Sequence, residues 1–256
     1  MRSRYVDIDD RTEDLAERAR ARPEAGAEFL KKWELSWLYH ENALEGVVYS
    51  SQELEVALAN QPLADATFVS ALREIRNHKT AVDLVREEAR AKKLRINLTL
   101  VKKLYETLGA GIEGRSAAEY RKDMPLHRAY FHEIAPPVRI PALLQKVLEH
   151  TDTAEFRNGH PIQRAAKLHH GFMQVFPFTE NSGRVARLLA NLVLLHEDYL
   201  PCIIHATDRQ RYYESLRLPE ATLRDLMMDA YDNALDQGEK FFQAAAAEQK
   251  KKKVVR

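Results

Sequence analysis

The chain has few of the residues that would place it outside the cell or in a membrane. It has one cysteine, Cys202, among 256 residues, so no intrachain disulfide can form. No apolar run approaches the ~20 residues that a membrane-spanning helix needs. The N-terminus has no continuous apolar segment after its first basic residues and does not read as a secretory signal. Neither sign of charge prevails, with 39 Lys plus Arg against 38 Asp plus Glu and a net charge of +1. That balance gives no general attraction to nucleic acid or to a membrane surface. The expected location is the cytoplasm, which would also suit an effector exported after folding. No internal repeat is evident.

What is present is an ordinary globular composition, 45 % apolar and 30 % charged, long enough to bury a sizeable core. The apolar pattern is mostly helical. Residues 1–25 alternate acid and base and read as a solvated helix or a loose arm. Phe29, Trp33, Leu35, Trp37, Leu38 and Leu44 follow at largely helical spacing, with Gly46 as a possible C-cap. Ser50 and Glu53 form a capping box for a short helix to about Asn60. Phe68 to Lys93 predicts a long helix, with a break near His78. Asn97 to Leu108 predicts another. Met124 to Val138 carries the strand formers Tyr130 and Phe131 and predicts a short hairpin. Helices over Ile140–Thr151 and from Pro161 follow, the latter with His169 on its apolar stripe and therefore in the core. Asp208 is placed to cap a helix carrying Tyr212, Tyr213 and Leu216. Pro219 to Ala247 forms a last amphipathic helix before a basic tail.

The stretch with most chemistry runs from Phe176 to Arg187. Pro177 stops one helix, and a second starts near Gly183. A loop feeding a helix N-terminus gathers unpaired backbone N–H groups at the positive end of the helix dipole, a natural anion site. Arg184 and Arg187, three apart, lean toward the same side of the first turn. Cations are disfavoured there, and a phosphate would remove the cost. Glu180 would repel that phosphate unless Mg2+ lay between them.

This stretch resembles the signature of the Fic (Fido-fold) family, H-P-F-x-[DE]-G-N-G-R-x-x-R. Pro177, Phe178, Glu180, Gly183, Arg184 and Arg187 match. Phe176 replaces the catalytic His, Asn181 the first Gly and Ser182 the Asn. Upstream, Glu41-Asn42-Ala43-Leu44-Glu45-Gly46 is similar to the family's inhibitory motif [ST]-x-x-x-E-[GN], with Glu41 in the Ser/Thr position. The helix at Asp208-Arg209…Tyr212-Tyr213 also matches a family pattern.

The resemblance implies a mainly α, Fic/Fido-type helical bundle with a small β-hairpin flap. It divides the chain into a charged arm (1–25), an inhibitory-helix-like region (26–62), the Fic/Fido domain (63–247) and a basic tail (248–256). It implies binding of a nucleotide, ATP with Mg2+, and transfer of AMP to a protein hydroxyl. Asn181, Ser182, Gly183, Arg184 and Arg187 would hold the phosphates, Glu180 the metal, and Glu45 would pair with Arg187 and inhibit. His132 and Glu133 would lie on the flap that binds a target protein. Because Phe176 cannot take a proton, activity would be weak or altered unless His170, His132 or His205 replaces the missing base. Asn181 suits the left-handed backbone that the family's Gly adopts. The competing readings are an inactive binding or regulatory module and the transfer of another group.

Overall fold

The computed structural model describes residues 3–59, 69–113, 115, 117–125 and 132–254. Eleven α-helices occur among them: α1 (Arg4–Ala21), α2 (Pro23–Leu44), α3 (Ser51–Leu58), α4 (Val69–Ala89), α5 (Leu98–Gly109), α6 (Ile140–His150), α7 (Ala154–Arg157), α8 (Pro161–Val175), α9 (Ser182–His196), α10 (Arg209–Ser215) and α11 (Glu220–Val254).

The centre is the α8–α9 hairpin. Every residue of α9 from Ser182 to Leu194 is buried, which is how a helix reads when neighbours cover it on all sides. Helices α6 and α11 cover α8, while α4 and α5 cover α9. Helix α2 packs against α4 and α11, and its buried Trp33, Trp37, Leu38 and Leu44 join the one core cluster.

The ends follow the sequence closely. Ser50 and Glu53 form the expected capping box on α3, and the Asn97 side chain accepts from the Leu100 N–H at the start of α5. Gly46 closes α2 with φ +88°, a conformation open to glycine. The acid–base alternation of the first residues is used between helices. In α1, Ile8 and Leu15 are buried, and Arg4 and Arg11 pair with Asp229, Asp232, Asp236 and Glu239 of α11.

Two expectations are corrected, and a third lies largely outside the described residues. Helix α4 has no break at His78, which is 1 % exposed and sits in the same buried stripe as Leu72, Ile75 and Val82. Asp208 precedes α10 but makes no side-chain cap bond, because a 3-10 turn over Ala206–Asp208 leads into that helix. No strand occurs among the described residues. The centre of the predicted hairpin, 126–131, lies outside them. On its near side the Arg121 N–H bonds the Pro177 carbonyl, and on its far side the Ala135 N–H bonds that of Gln174.

His40, His78 and His169 are all held below the ordinary imidazole range, in each case first by burial. His40 falls to about 4, with His205 stacked parallel at 4.3 Å as the second cause. A depressed pKa means that the unfolded chain binds the extra protons. Stability is therefore complete above the unfolded value near 6.5 and is lost as pH falls toward 4. The melting temperature should drop steeply between about pH 6.5 and 4. His40→Gln should flatten part of that slope, and an unchanged slope would refute this role for His40.

Candidate functional site

Six residues join α8 to α9, and both ends of the link have left-handed backbone. Phe176, the C-cap of α8, has φ +47°, and Asn181, before α9, has φ +58°. Asn tolerates this region well, as expected of it. A phenylalanine there is strained by about 1–2 kcal/mol, and the surroundings hold it. The buried Arg121 donates from Nε to the Phe176 carbonyl at 2.7 Å and from Nη2 to the carbonyls of Ala135 and Val175. Inside the link, the Ser182 hydroxyl accepts from the Phe178 N–H and donates to the Phe178 carbonyl, both at 2.9 Å. Its side chain is thus spent on the loop, and only its backbone faces a ligand.

The link and the first turn of α9 form one wall of a cavity of about 340 Å3. Asn181, Ser182, Gly183 and Arg184 lie there with Phe176, Glu180, Glu45 and His132. Arg184 is 7 % exposed. It donates to the side-chain oxygens of Asn181 and Asn42, each at 2.9 Å. Its Nε has no partner, and no carboxylate pairs with it among the described residues. A buried guanidinium served only by amides is charge left uncompensated, and it stands at a helix N-terminus facing open space.

Arg187 is in the opposite state. Its Nε meets Glu41 at 2.6 Å, its Nη2 meets Glu45 at 2.7 Å, and its Nη1 donates to the Tyr212 hydroxyl at 3.2 Å. The Tyr212 hydroxyl in turn lies 2.9 Å from Nε2 of the buried His169. Burial works against the charge on Arg187, but Glu41 first, then Tyr212 and Glu45, outweigh it and hold the group well above its usual range. Glu41 is buried with it, and burial pushes its carboxyl up against the pull of Arg187.

Gly183 is what lets α2 come so close. A Cβ there would stand 2.7 Å from Glu45 Oε1 and 3.0 Å from Arg187 Nη1. Helix α10 fixes the other side of α2, since Arg209 Nε and the Tyr213 hydroxyl both donate to the Leu44 carbonyl, at 2.8 and 2.7 Å.

The remaining predicted residues separate. Glu180, expected to hold Mg2+, pairs with Arg115, which also reaches Glu74 at 3.1 Å. The carboxylates nearest the loop already bracket a guanidinium, and no group of three or more metal-ligating side chains exists among the described residues. A divalent ion held by Glu180 would have to compete with Arg115 for its carboxylate.

Of the histidines considered as a substitute base, only His132 lines the cavity. Its Nε2 bonds the Met173 carbonyl at 3.0 Å, and its ring meets the Phe176 ring edge-on at 6.3 Å. His170 is held by the Leu218 carbonyl at 3.1 Å and does not line the cavity. His205 stacks on His40 and is likewise outside. Glu133 is exposed and off the cavity wall. Sequence reasoning missed Glu41, Asn42, Glu74 and Arg115. For Glu41 a signal existed, because it stands one helical turn before Glu45 and so on the same face.

A helical hairpin with a buried arginine at the start of its second helix, and an N-terminal helix laid across its link, defines the site. Residues 95–194 match the Fic/DOC family model. The chain is similar to the protein adenylyltransferase Fic of Drosophila grimshawi, 27 % identical over 183 residues, which are 71 % of this chain and 37 % of that protein. The chain thus spans little more than a third of that relative's length. Among solved structures it resembles a Fic-domain-containing signaling protein of Bacteroides thetaiotaomicron, with TM-score 0.79, 19 % identity, and coverage of 91 % of this chain and 97 % of that one. Fic-1 of C. elegans gives TM-score 0.74 at 19 % identity over 96 % and 73 %. No helix is long and apolar enough to cross a membrane among the described residues.

Proposed function

We propose that the cavity binds the phosphate of an adenine nucleotide and that the chain is a nucleotide-binding relative of the protein adenylyltransferases in which AMP transfer is weak or absent. The observation that carries this reading is Arg184, a buried cation without a counter-ion at the helix start. The backbone N–H groups of Ser182 and Gly183 and the helix dipole act in the same direction. The adenine assignment comes from the adenylyltransferase relatives, which also suggest a protein hydroxyl as acceptor.

Transfer would require the acceptor oxygen to attack the α-phosphorus while the bond to pyrophosphate breaks. The hydroxyl proton must then go to a base. Phe176 has no lone pair to accept it. The carboxylates of the wall are already engaged, Glu45 on Arg187 and Glu180 and Glu74 on Arg115. Binding without efficient transfer is what this arrangement supports. The Glu45–Arg187 pair supports reading α2 as an inhibitory cover of the same cavity, and Mg2+ is not part of the reading.

Titration calorimetry with AMP, ADP and ATP tests it. The wild type should bind at least one of them. Arg184→Gln, which keeps hydrogen bonds and removes the charge, should weaken binding by about tenfold or more, since a hydrogen bond to a charged group contributes roughly 1.5–3 kcal/mol. Equal binding by the variant, or no binding of any of the three by the wild type, would refute the reading.

A further inference from the structure

The two signature arginines have different availability. Arg184 lines the cavity and lacks an anion. Arg187 has a partner on every guanidinium nitrogen. Its two carboxylates also differ. Glu45 lines the cavity with its side chain 21 % exposed, so an entering ligand can compete with it. Glu41 does not line the cavity, and in its pair with Arg187 both side chains are 3 % exposed. No ligand in the cavity reaches that contact.

The charges follow. Arg187 with Glu41 is a neutral pair, and Glu45 makes the group −1. Displacing Glu45 therefore uncovers a neutral pair rather than a free cation. The other cation of the wall, Arg115, is bracketed by Glu180 and Glu74. Arg184 alone is left for phosphate, and each further phosphate group would add negative charge beside Glu45, Glu74 and Glu180 without a matching cation.

We propose that Glu41 is the specificity-determining residue of the cavity, holding Arg187 in a buried neutral pair so that the site takes a ligand with one phosphate group, a nucleoside monophosphate, rather than a triphosphate. This rests on the reading that the cavity binds a nucleotide. Glu41 acts through Arg187 and touches no ligand.

The test is calorimetry with AMP and ATP on the full chain, with and without Mg2+, for the wild type, Glu45→Gly, Glu41→Gln/Glu45→Gly and Glu41→Ser/Glu45→Gly. The wild type should bind AMP at least as tightly as ATP. Glu45→Gly should change ATP affinity by less than about threefold, because the neutral pair persists. The double variants should raise ATP affinity by about tenfold or more, the scale of one freed charge-assisted contact, and leave AMP within about twofold. Two double variants are used because Gln keeps the shape of Glu41 if Ser lowers the melting temperature.

ATP affinity in Glu45→Gly equal to that of both double variants would overturn the role of Glu41. So would a wild type that prefers ATP over AMP tenfold. Failure of the wild type and every variant to bind either nucleotide would instead overturn the nucleotide reading and the proposal with it, so the two failures are distinguishable.

Discussion

Arg187→Ala should lower the stability of the protein by about 3–5 kcal/mol, the usual cost of removing one member of a buried ion pair. It leaves Glu41, almost wholly buried, without its counter-ion, and strips Glu45 of the partner that fixes it. It also takes a hydrogen bond from Tyr212, whose hydroxyl links α9 to His169 in α8. For a chain of this size the loss should appear as a melting-temperature drop of roughly 2–4 °C per kcal/mol. The sign with pH is fixed. Burial already raises Glu41 above its ordinary value, and losing Arg187 removes the main opposing pull. A carboxyl raised in the folded state stabilises below its unfolded pKa and loses that stability as pH rises through the folded one. The variant should therefore fall further behind the wild type at pH ~8 than at pH ~5. Glu41→Gln combined with Arg187→Met should recover more than half of the loss, because no buried charge is left alone. Melting within 2 °C of the wild type for Arg187→Ala would show that the pair is not structural.

That expectation also marks where the sequence was informative. A proline, an αL-tolerant Asn, a glycine and two arginines at fixed spacing specify a helix–link–helix through local physics. The structure has that link, with Asn181 at φ +58° and α9 starting at Ser182. Contacts between distant segments are another matter. Glu45 could be joined to Arg187 only through a family resemblance, since 142 residues separate them. Glu41 was hidden by the same resemblance, which expects a Ser or Thr there and so draws attention away from a second carboxylate one turn earlier. Arg115 lies in a glycine-rich loop, and nothing local says that its side chain meets Glu180. The histidines illustrate the difference well. Helical period alone places His169 in the core and turns His170 away from it, and the structure agrees. Choosing among His132, His170 and His205 requires knowing which loop closes the cavity, which is a property of the whole packing.

Restoring the family signature should give strong AMP transfer only when α2 is also released. The wild type should label neither itself nor lysate proteins from labelled ATP above background. Phe176 presents an aromatic ring at the cavity wall, held by Arg121 in a conformation that imidazole tolerates better. Phe176→His supplies the missing proton acceptor. Such a group is worth ~10^2- to 10^4-fold, but only if the α-phosphorus is correctly seated. Seating depends on the loop, where Asn181 and Ser182 replace Gly and Asn, and the Ser182 hydroxyl is bound inward to Phe178. It depends also on Arg187, which is paired with Glu41 and Glu45. Phe176→His, Asn181→Gly and Ser182→Asn together should therefore label weakly while α2 is intact. The same three changes with Glu41→Ser and Glu45→Gly should label at least ~100-fold more strongly than the matched variant that keeps Phe176. Strong labelling by the wild type would overturn this ordering. It would mean that a group on the cavity wall, His132 being the imidazole placed there, already takes the proton.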